Sequence, residues 1–347
     1  MGKIMNTNRP TIKDIAKIAG VSHVTVSQAL RDMSCISENT KIRIKQIAED
    51  LGYTPNLTAR NLALKNPTSI GMIVPTLGSD TAYNEIINSL SEMAEKENLS
   101  LLLGSSNRKI ELEKSYCKMM CENMVGVLLI ASSSSDITHI KKISNGLVPI
   151  IFIGGKTGDD EENYILPDYY ESGKLAVGHL HSLGHTRIGI FLYPPENKTI
   201  QLKLHGYLEA MKQHGLEPLV YWNGTNTDTF NAGYSLTEEL LAKNELPSAI
   251  WCASDLMAYG VMEALKKHDI AVGKEISVMG HDNLFFSSIP SNSLTTIALP
   301  KEDIAEKAML FAKQLMAYHQ NSGYPKPECK IKVKNKLIVR NSTGRFQ

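Results

Sequence analysis

Apolar positions along this chain recur at two different spacings. Between residues 11 and 52 they fall three and four apart, the period of short amphipathic helices. Ile12, Ile15, Ala16 and Ala19 share one face, Val26, Ala29 and Leu30 a second, and Ile44, Ile47, Ala48 and Leu51 a third. Thr11 with Asp14 forms a capping box, Ser22 and Ser37 open the next two helices, and Gly20 and Gly52 supply the stops. From residue 70 the pattern changes to unbroken apolar runs of strand length separated by amphipathic stretches. The runs 70–74, 99–103, 125–130, 148–153, 187–193, 249–253, 276–280 and 295–299 predict strands. The stretches 84–96, 111–120, 172–183, 203–214, 236–243, 256–267 and 303–319 predict helices. Continuous apolar strands between helices are parallel and buried on both faces, and this many of them fit two doubly wound lobes. Ligands of such lobes lie beyond the carboxyl ends of the strands, which here means the cleft between the lobes.

Composition narrows the class. The 347 residues, 42% hydrophobic and 21% charged, fit a folded chain of more than one domain. The longest apolar runs, 125–131 and 147–155, are strand-sized and fall short of the ~20 residues of a membrane span. Residues 1–10 are polar and carry no secretion signal. Five scattered cysteines predict no disulfide framework and a reducing compartment, hence the cytoplasm. The net charge of +1 hides an asymmetry. Residues 1–65 hold ten Lys/Arg against five Asp/Glu, a net +5, and the remainder is net −4. The basic segment is the one that suits a polyanion.

Within that segment the spacing of Ala16, Gly20, Val21 and Val26 has a mechanical reading. Two helices crossing over a three-residue turn need a small residue at the contact, a flexible one in the turn and branched apolar residues beneath, which is the helix-turn-helix arrangement. Its second helix then presents His23, Val24, Thr25, Ser27, Gln28 and Arg31 outward. Thr25, Ser27 and Arg31 suit phosphates, Gln28 suits an adenine edge, and His23 and Val24 reach bases from the helix start. On spacing alone, a three-helix bundle with a solvated polar face is the other reading. Downstream, Pro55 and Pro67 bracket eight to ten residues of helical pattern, too short to be stable alone in water. That segment is either a plain linker or a helix that folds on binding.

The run Thr11-Ile-Lys-Asp-Ile-Ala-Lys-Ile-Ala-Gly-Val-Ser-His-Val-Thr-Val-Ser27 closely resembles the opening of the lactose–galactose repressor (LacI) family of bacterial transcription regulators. The match continues through Ser37-Glu-Asn-Thr40, Leu51-Gly-Tyr-Thr-Pro-Asn56 and Ala59-Arg60-Asn61-Leu62. The resemblance implies that His23 and Val24 set operator choice, and it places Thr11, Ser37, Thr40 and Tyr53 in the DNA-facing set. Gln28 stands where family members often carry arginine, which implies a different operator preference. The resemblance also implies paired hinge helices in the minor groove, with Leu62 wedging between base pairs and Asn56 and Ala59 facing DNA.

The resemblance extends over residues 10–344. Ile70-Gly71-Met72-Ile73-Val74-Pro75, Leu183-Gly184-His185-Thr186-Arg187-Ile188, Ser254-Asp255-Leu256-Met257-Ala258-Tyr259-Gly260, Ile276-Ser277-Val278-Met279-Gly280 with Asp282, and Leu294-Thr295-Thr296-Ile297 stand in register. Val339-Arg340-Asn341-Ser342-Thr343 resembles the family's last strand. The implied architecture is an all-α helix-turn-helix DNA-binding domain (residues 10–54), a hinge (55–68), and an α/β periplasmic-binding-protein-like (type I) core of two doubly wound parallel-sheet lobes (69–344). Asp255 matches the family's effector-binding aspartate; its other role is to cap the following helix. Asp282 either contacts ligand or closes the cleft structurally. Thr76 and Tyr193 follow two other strands and line the cleft. Trp222 either stacks on a sugar face or sits partly buried in a loop. Lys203, in Lys203-Leu204-His205-Gly206-Tyr207, replaces the family's usual arginine and cannot make its forked contact. Gly154 stands where some sugar-binding relatives carry a polar residue, and Pro167-Asp168 shifts an acidic position. These departures allow an unusual sugar, a phosphorylated one attracted by Lys203, or a non-sugar.

Other motifs carry less. Cys117 and Cys121 find no partners for a metal set, and His179, His181 and His185 suit a helix surface and a corner better than a metal. Gly154-Gly155-Lys156-Thr157 lacks the spacing of a phosphate loop, and Ser132–135 has no placed base. The expected protein is therefore a cytoplasmic, homodimeric repressor with no catalytic group, no metal and no cofactor. It would bind a palindromic operator in double-stranded DNA and answer to a small effector, a sugar or sugar phosphate. The expected dimer contact lies on the first lobe's helices 84–96 and 111–120. A solute-binding receptor and an enzyme on the same scaffold are the competing classes. The first is opposed by the N-terminal helical module, the second by the missing catalytic set.

Overall fold

A computed structural model describes residues 10–54, 67–78, 82–132, 134, 136–154, 162–194, 198–223, 229–291, 293–320 and 327–346. The hinge expectation over residues 55–66, with Asn56, Ala59 and Leu62, lies outside the described residues. The chain forms two compact units, Met1–Leu64 and Lys65–Gln347.

The first unit contains α1 (Ile12–Ala19), α2 (His23–Ala29) and α3 (Glu38–Asp50). Asp14 accepts the Thr11 amide at 2.8 Å, and Ser22 Oγ accepts the Thr25 amide at 3.0 Å, so both helix starts are satisfied locally. Gly20 turns the chain at φ +67°, a conformation that costs glycine little. Ile15, Val26, Ala29 and Ile44 are fully buried where the three helices meet, and Ala16, Ala19 and Ala48 let the backbones approach. Arg43 donates to the Ala19 carbonyl at 2.6 Å, pinning α3 to the end of α1.

The second unit has two lobes. The first is built from β1 (Ser69–Val74), α4 (Tyr83–Lys96), β2 (Ser100–Ser105), α5 (Ile110–Glu122), β3 (Leu128–Ile130), α6 (Thr138–Ser144), β4 (Ile150–Ile153) and β5 (Tyr164–Pro167). The second follows with α7 (Tyr169–Ser182), β6 (Ile188–Leu192), α8 (Lys198–Gln213), β7 (Leu219–Trp222), α9 (Thr229–Lys243), β8 (Ala249–Cys252), α10 (Asp255–Lys267), β9 (Ser277–Asp282) and β10 (Thr295–Ala298). The chain returns to the first lobe with α11 (Lys301–Gln320) and β11 (Lys330–Val333), then ends in the second with β12 (Lys336–Ile338). The first sheet runs β11-β5-β4-β3-β1-β2 and is parallel throughout. The second runs β12-β10-β9-β8-β6-β7 and is parallel except for β12, an antiparallel edge. Three crossovers thus join the lobes, at Asp168, at Pro300 and at Asn335.

Sequence patterning leaves out β5, β7, β11, β12 and α6. β7, β11 and β12 are sheet edges, where lysines and half-exposed side chains interrupt the apolar run. The final strand is Lys336–Ile338 rather than the segment 339–343. That segment forms no strand but is held by backbone and side-chain bonds: the Ser342 carbonyl accepts the Val278 amide at 2.8 Å, and Ser342 Oγ donates to the Val278 carbonyl at 2.6 Å and accepts the Thr295 amide at 2.8 Å.

Glycine pairs bring the second lobe's helices into backbone contact. A Cβ on Gly206 of α8 would stand 1.9 Å from the Tyr170 carbonyl of α7, and one on Gly260 of α10 would stand 1.9 Å from the Phe230 carbonyl of α9. The first contact sets the depth of Lys203, one turn earlier on α8.

Candidate nucleic-acid interface and ligand cleft

In the head, α2 presents His23 and Val24 in the open, Val24 at 50% exposure. Thr25, Ser27, Gln28 and Arg31 are half-buried. Val24 and Gln28 lie four apart, as do His23 and Ser27, so these side chains share one helical face. Arg31 is partly tethered, its Nε donating to the Ser27 carbonyl at 3.0 Å. Thr11 donates its hydroxyl to Asp14 at 2.7 Å, and this bond holds the Asp14 carboxyl below the usual range. The Ser37 and Thr40 hydroxyls lie 2.8 Å apart at the start of α3, and Tyr53 packs half-buried against the head's core. Lys13, Lys17 and the turn from Gly20 to His23 line a concavity of about 520 Å³. Neither lysine belongs to the set drawn from motif positions; the local charge count is the signal that points to them.

In the core, the carboxyl ends of strands from both lobes bring polar groups together around Asp282, the last residue of β9. Asp282 holds φ at +112°, outside the conformations ordinary side chains favour. Its charge acts on Tyr83, Tyr169, Tyr193 and Lys203, and Arg108 acts on Tyr83 and Tyr193. Burial raises all three phenols, and two of their hydroxyls have fixed partners: Tyr169 donates to the Gly154 carbonyl at 2.6 Å and Tyr193 pairs with Ser254 Oγ at 2.5 Å. Gly154 makes room for Tyr83, because a Cβ there would stand 2.9 Å from that ring.

Lys203 is 4% exposed. Its Nζ donates to the Ala253 carbonyl at 2.7 Å and lies 5.3 Å from the centre of the Tyr169 ring. Burial pulls its pKa down to about 8, against the charges of Asp282 and Asp255. His281 is buried too, its Nδ1 2.9 Å from Asp282 Oδ1 and its Nε2 3.2 Å from Ser172 Oγ. Burial and then the Lys203 charge bring His281 to about 4, so it is neutral near pH 7 and donates through Nδ1 to Asp282.

The two aspartates differ. Asp255 is fully buried and its carboxylate accepts the Leu284 amide at 2.7 Å, Ser287 Oγ at 2.6 Å and Thr296 Oγ1. Burial, then the charge of Asp282, push it to about 7 against three donors that favour the anion. The expected cap on α10 is made by Ser254, which accepts the Met257 amide at 3.2 Å, and not by Asp255. Asp168, after β5, caps α7 by accepting the Glu171 amide at 3.1 Å. Thr76 Oγ1 accepts the Gly78 amide at 3.0 Å, and the neighbouring Pro75 carbonyl accepts the Arg108 amide at 3.1 Å, so positions 76 and 108 share one rim. Trp222, 38% exposed at the end of edge strand β7, pairs in register with Leu192, next to Tyr193. Tyr83, Arg108 and Tyr169 are absent from the sequence-derived set. Arg108 and Tyr169 follow β2 and β5, so the strand-end rule applied to those strands leads to both.

In the first lobe, buried Glu113 accepts from Ser132 Oγ at 2.9 Å and lies 2.7 Å from His139 Nε2. A carboxylate therefore does stand against the serine hydroxyl, but Ser132 and Glu113 are both buried, at 7% and 1% exposure, so the contact reads as an internal polar pairing. Among the described residues no group of three or more His, Cys, Asp or Glu is arranged to hold a metal, and no helix is long and apolar enough to cross a membrane.

The sequence profile described as "Bacterial regulatory proteins, lacI family" matches residues 11–56, and that described as "Periplasmic binding protein-like domain" matches residues 177–343. The HTH-type transcriptional repressor PurR of Mannheimia succiniciproducens is 30% identical over 338 residues, 97% of this chain and 99% of that protein. This chain belongs to the lacI family of bacterial regulatory proteins. The HTH-type transcriptional repressor CytR of Escherichia coli strain K12 is also 30% identical, over 96% of each chain. Among solved structures, the Lac repressor dimer bound to operator and the anti-inducer ONPF aligns with a TM-score of 0.82 at 24% identity, over 97% of this chain and 100% of that one. That likeness carries the fold. As a lacI-family member the chain is a DNA-binding transcription regulator and not an enzyme, with a helix-turn-helix head and a two-lobed core.

Proposed function

We propose that this regulator represses transcription from the cytoplasm as a homodimer on a palindromic operator, and that a small carbohydrate or sugar phosphate in the core's cleft controls it. The observation that carries the effector reading is the convergence of three tyrosines and Lys203 on Asp282, with Arg108 acting on two of those tyrosines. Aromatic faces suit the C–H side of a sugar ring, the carboxylate accepts from its hydroxyls, and the cations attract a phosphate. Thr76 and Trp222 extend the same rim, and Asp255 supports the Asp282 turn from beneath. A single seven-residue recognition helix reads few base pairs, so a pair of heads on two half-sites supplies the length that specificity needs. In this reading residues 10–54 are the head, 55–68 the hinge and 69–344 the core, with α4 and α5 at the subunit contact. His23, Val24 and Gln28 read bases; Thr11, Thr25, Ser27, Arg31, Ser37, Thr40 and Tyr53 meet the backbone; Asn56, Ala59 and Leu62 enter the minor groove.

Two measurements test it. A thermal-shift panel of pentoses, hexoses and their phosphates should contain a compound that raises the core's melting temperature in wild type and not in Asp282→Ala. That compound should change the mobility shift of a duplex selected from random DNA. Leu62→Ala should weaken the selected duplex and leave the thermal shift intact. A monomer indifferent to DNA sequence, or a panel without any stabilising compound, overturns the reading.

A further inference from the structure

Lys301 is the first residue of α11, and it is an unusual place for a buried cation. The start of a 20-residue helix carries partial positive charge, and Lys301 is only 5% exposed. Two acceptors offset that cost. Nζ lies 2.5 Å from Glu85 Oε1, on the first turn of α4, and donates at 2.9 Å to the carbonyl of Asn283. Asn283 directly follows Asp282, and both hold positive φ, +49° and +112°. The turn is gripped on its remaining sides as well: Arg340 donates to Asn283 Oδ1 at 2.7 Å, and Asp255 accepts the Leu284 amide. Of these grips, Lys301 is the one that reaches the first lobe.

We infer that Lys301 is a positioning residue that couples the strained Asp282–Asn283 turn to helix α4, so that engagement of Asp282 is passed to the first lobe through one buried ammonium. The turn is held away from its relaxed conformation by several bonds at once, so a change in the load on Asp282 redistributes among them. A shift of the Asn283 carbonyl alters its share of the Lys301 protons, and the Glu85 pairing responds. Glu85 keeps its other side toward solvent, its side chain 52% exposed, so it has room to move. The inference deepens the regulatory reading above and takes from it only the idea that Asp282 meets the ligand.

The test is ligand-free hydrogen–deuterium exchange on the full chain. Asp282→Asn removes the carboxylate charge while keeping a residue that tolerates positive φ. It should change exchange in the peptide over residues 83–90 by about threefold or more, alongside the local change over 283–288. In a Glu85→Gln background the local change should persist and the change in 83–90 should disappear; Glu85→Asp should restore it. Lys301→Met should act as Glu85→Gln does, and if it fails to fold the Glu85 variants still decide. A response of α4 to Asp282→Asn that survives Glu85→Gln unchanged means that another route, such as the Tyr83 contact, carries the signal, and the inference fails. No response of α4 in the wild-type background overturns it equally. A sugar panel without a hit would sink the effector reading and leave this measured coupling standing.

Discussion

In the head, His23 and Val24 stand exposed at the opening of α2, while in the core Asp255, Lys203 and His281 are buried and bonded to neighbouring protein groups. Exposed side chains of this kind add little to folding, and in the proposed reading they stay free to meet DNA. The core's polar groups are part of the packing, so in the proposed reading the ligand site and the stability of the core both depend on them. Substitutions in the two regions should separate accordingly.

The largest effect is expected for Asp255→Ala. It strands the Leu284 amide and the Ser287 and Thr296 hydroxyls in a buried site, and the core should lose about 3–5 kcal/mol by urea denaturation. A loss below about 1 kcal/mol would mean the turn has other support. Next, His23→Ala with Gln28→Ala should cost about 2–4 kcal/mol in binding to the selected duplex, read by fluorescence anisotropy, yet leave the melting temperature of the head unchanged. A head that melts earlier in that variant would break the comparison.

Lys203→Met should move the other way. The folded pKa of Lys203 is depressed from 10.5 to about 8, so the charged form costs stability at neutral pH and that cost is relieved as pH rises from about 8 to 10.5. The variant should be about 1–2 kcal/mol more stable at pH 7, after allowing for the unpaired Ala253 carbonyl, and should lose the rise in stability across that window. The same variant should lose affinity for a phosphorylated effector. The smallest effect is Ser22→Ala, about 1 kcal/mol of head stability through the lost cap, with the core's unfolding midpoint unmoved.

The same division explains what could be read from the chain. The head is made by contacts between near neighbours, so caps, stops and apolar faces can all be read within some forty residues. The buried strands announce themselves through continuous apolar runs, and the edges β7, β11 and β12 do not because only their inner sides are covered. The cleft is different. Asp255 meets partners 29, 32 and 41 residues away, and Lys301 meets Glu85 across 216. No local pattern marks such meetings. The strand-end rule leads to Thr76, Tyr193 and Asp282, but it does not distinguish an aspartate left partly exposed from one enclosed by donors. Nor does it reach Tyr83, which arrives from the start of a helix.

Backbone contact between α7 and α8 has a consequence for redesign. A Cβ on Gly173 would stand 2.7 Å from the carbonyl oxygen of Lys203 itself, so no side chain separates that residue from the neighbouring helix. The position of the Lys203 main chain is thus fixed by backbone dimensions and cannot be retuned by repacking side chains. Altering which small molecule this regulator senses calls for changes in the side chains projecting from strand ends and loops, with the helix pair kept as an invariant ruler.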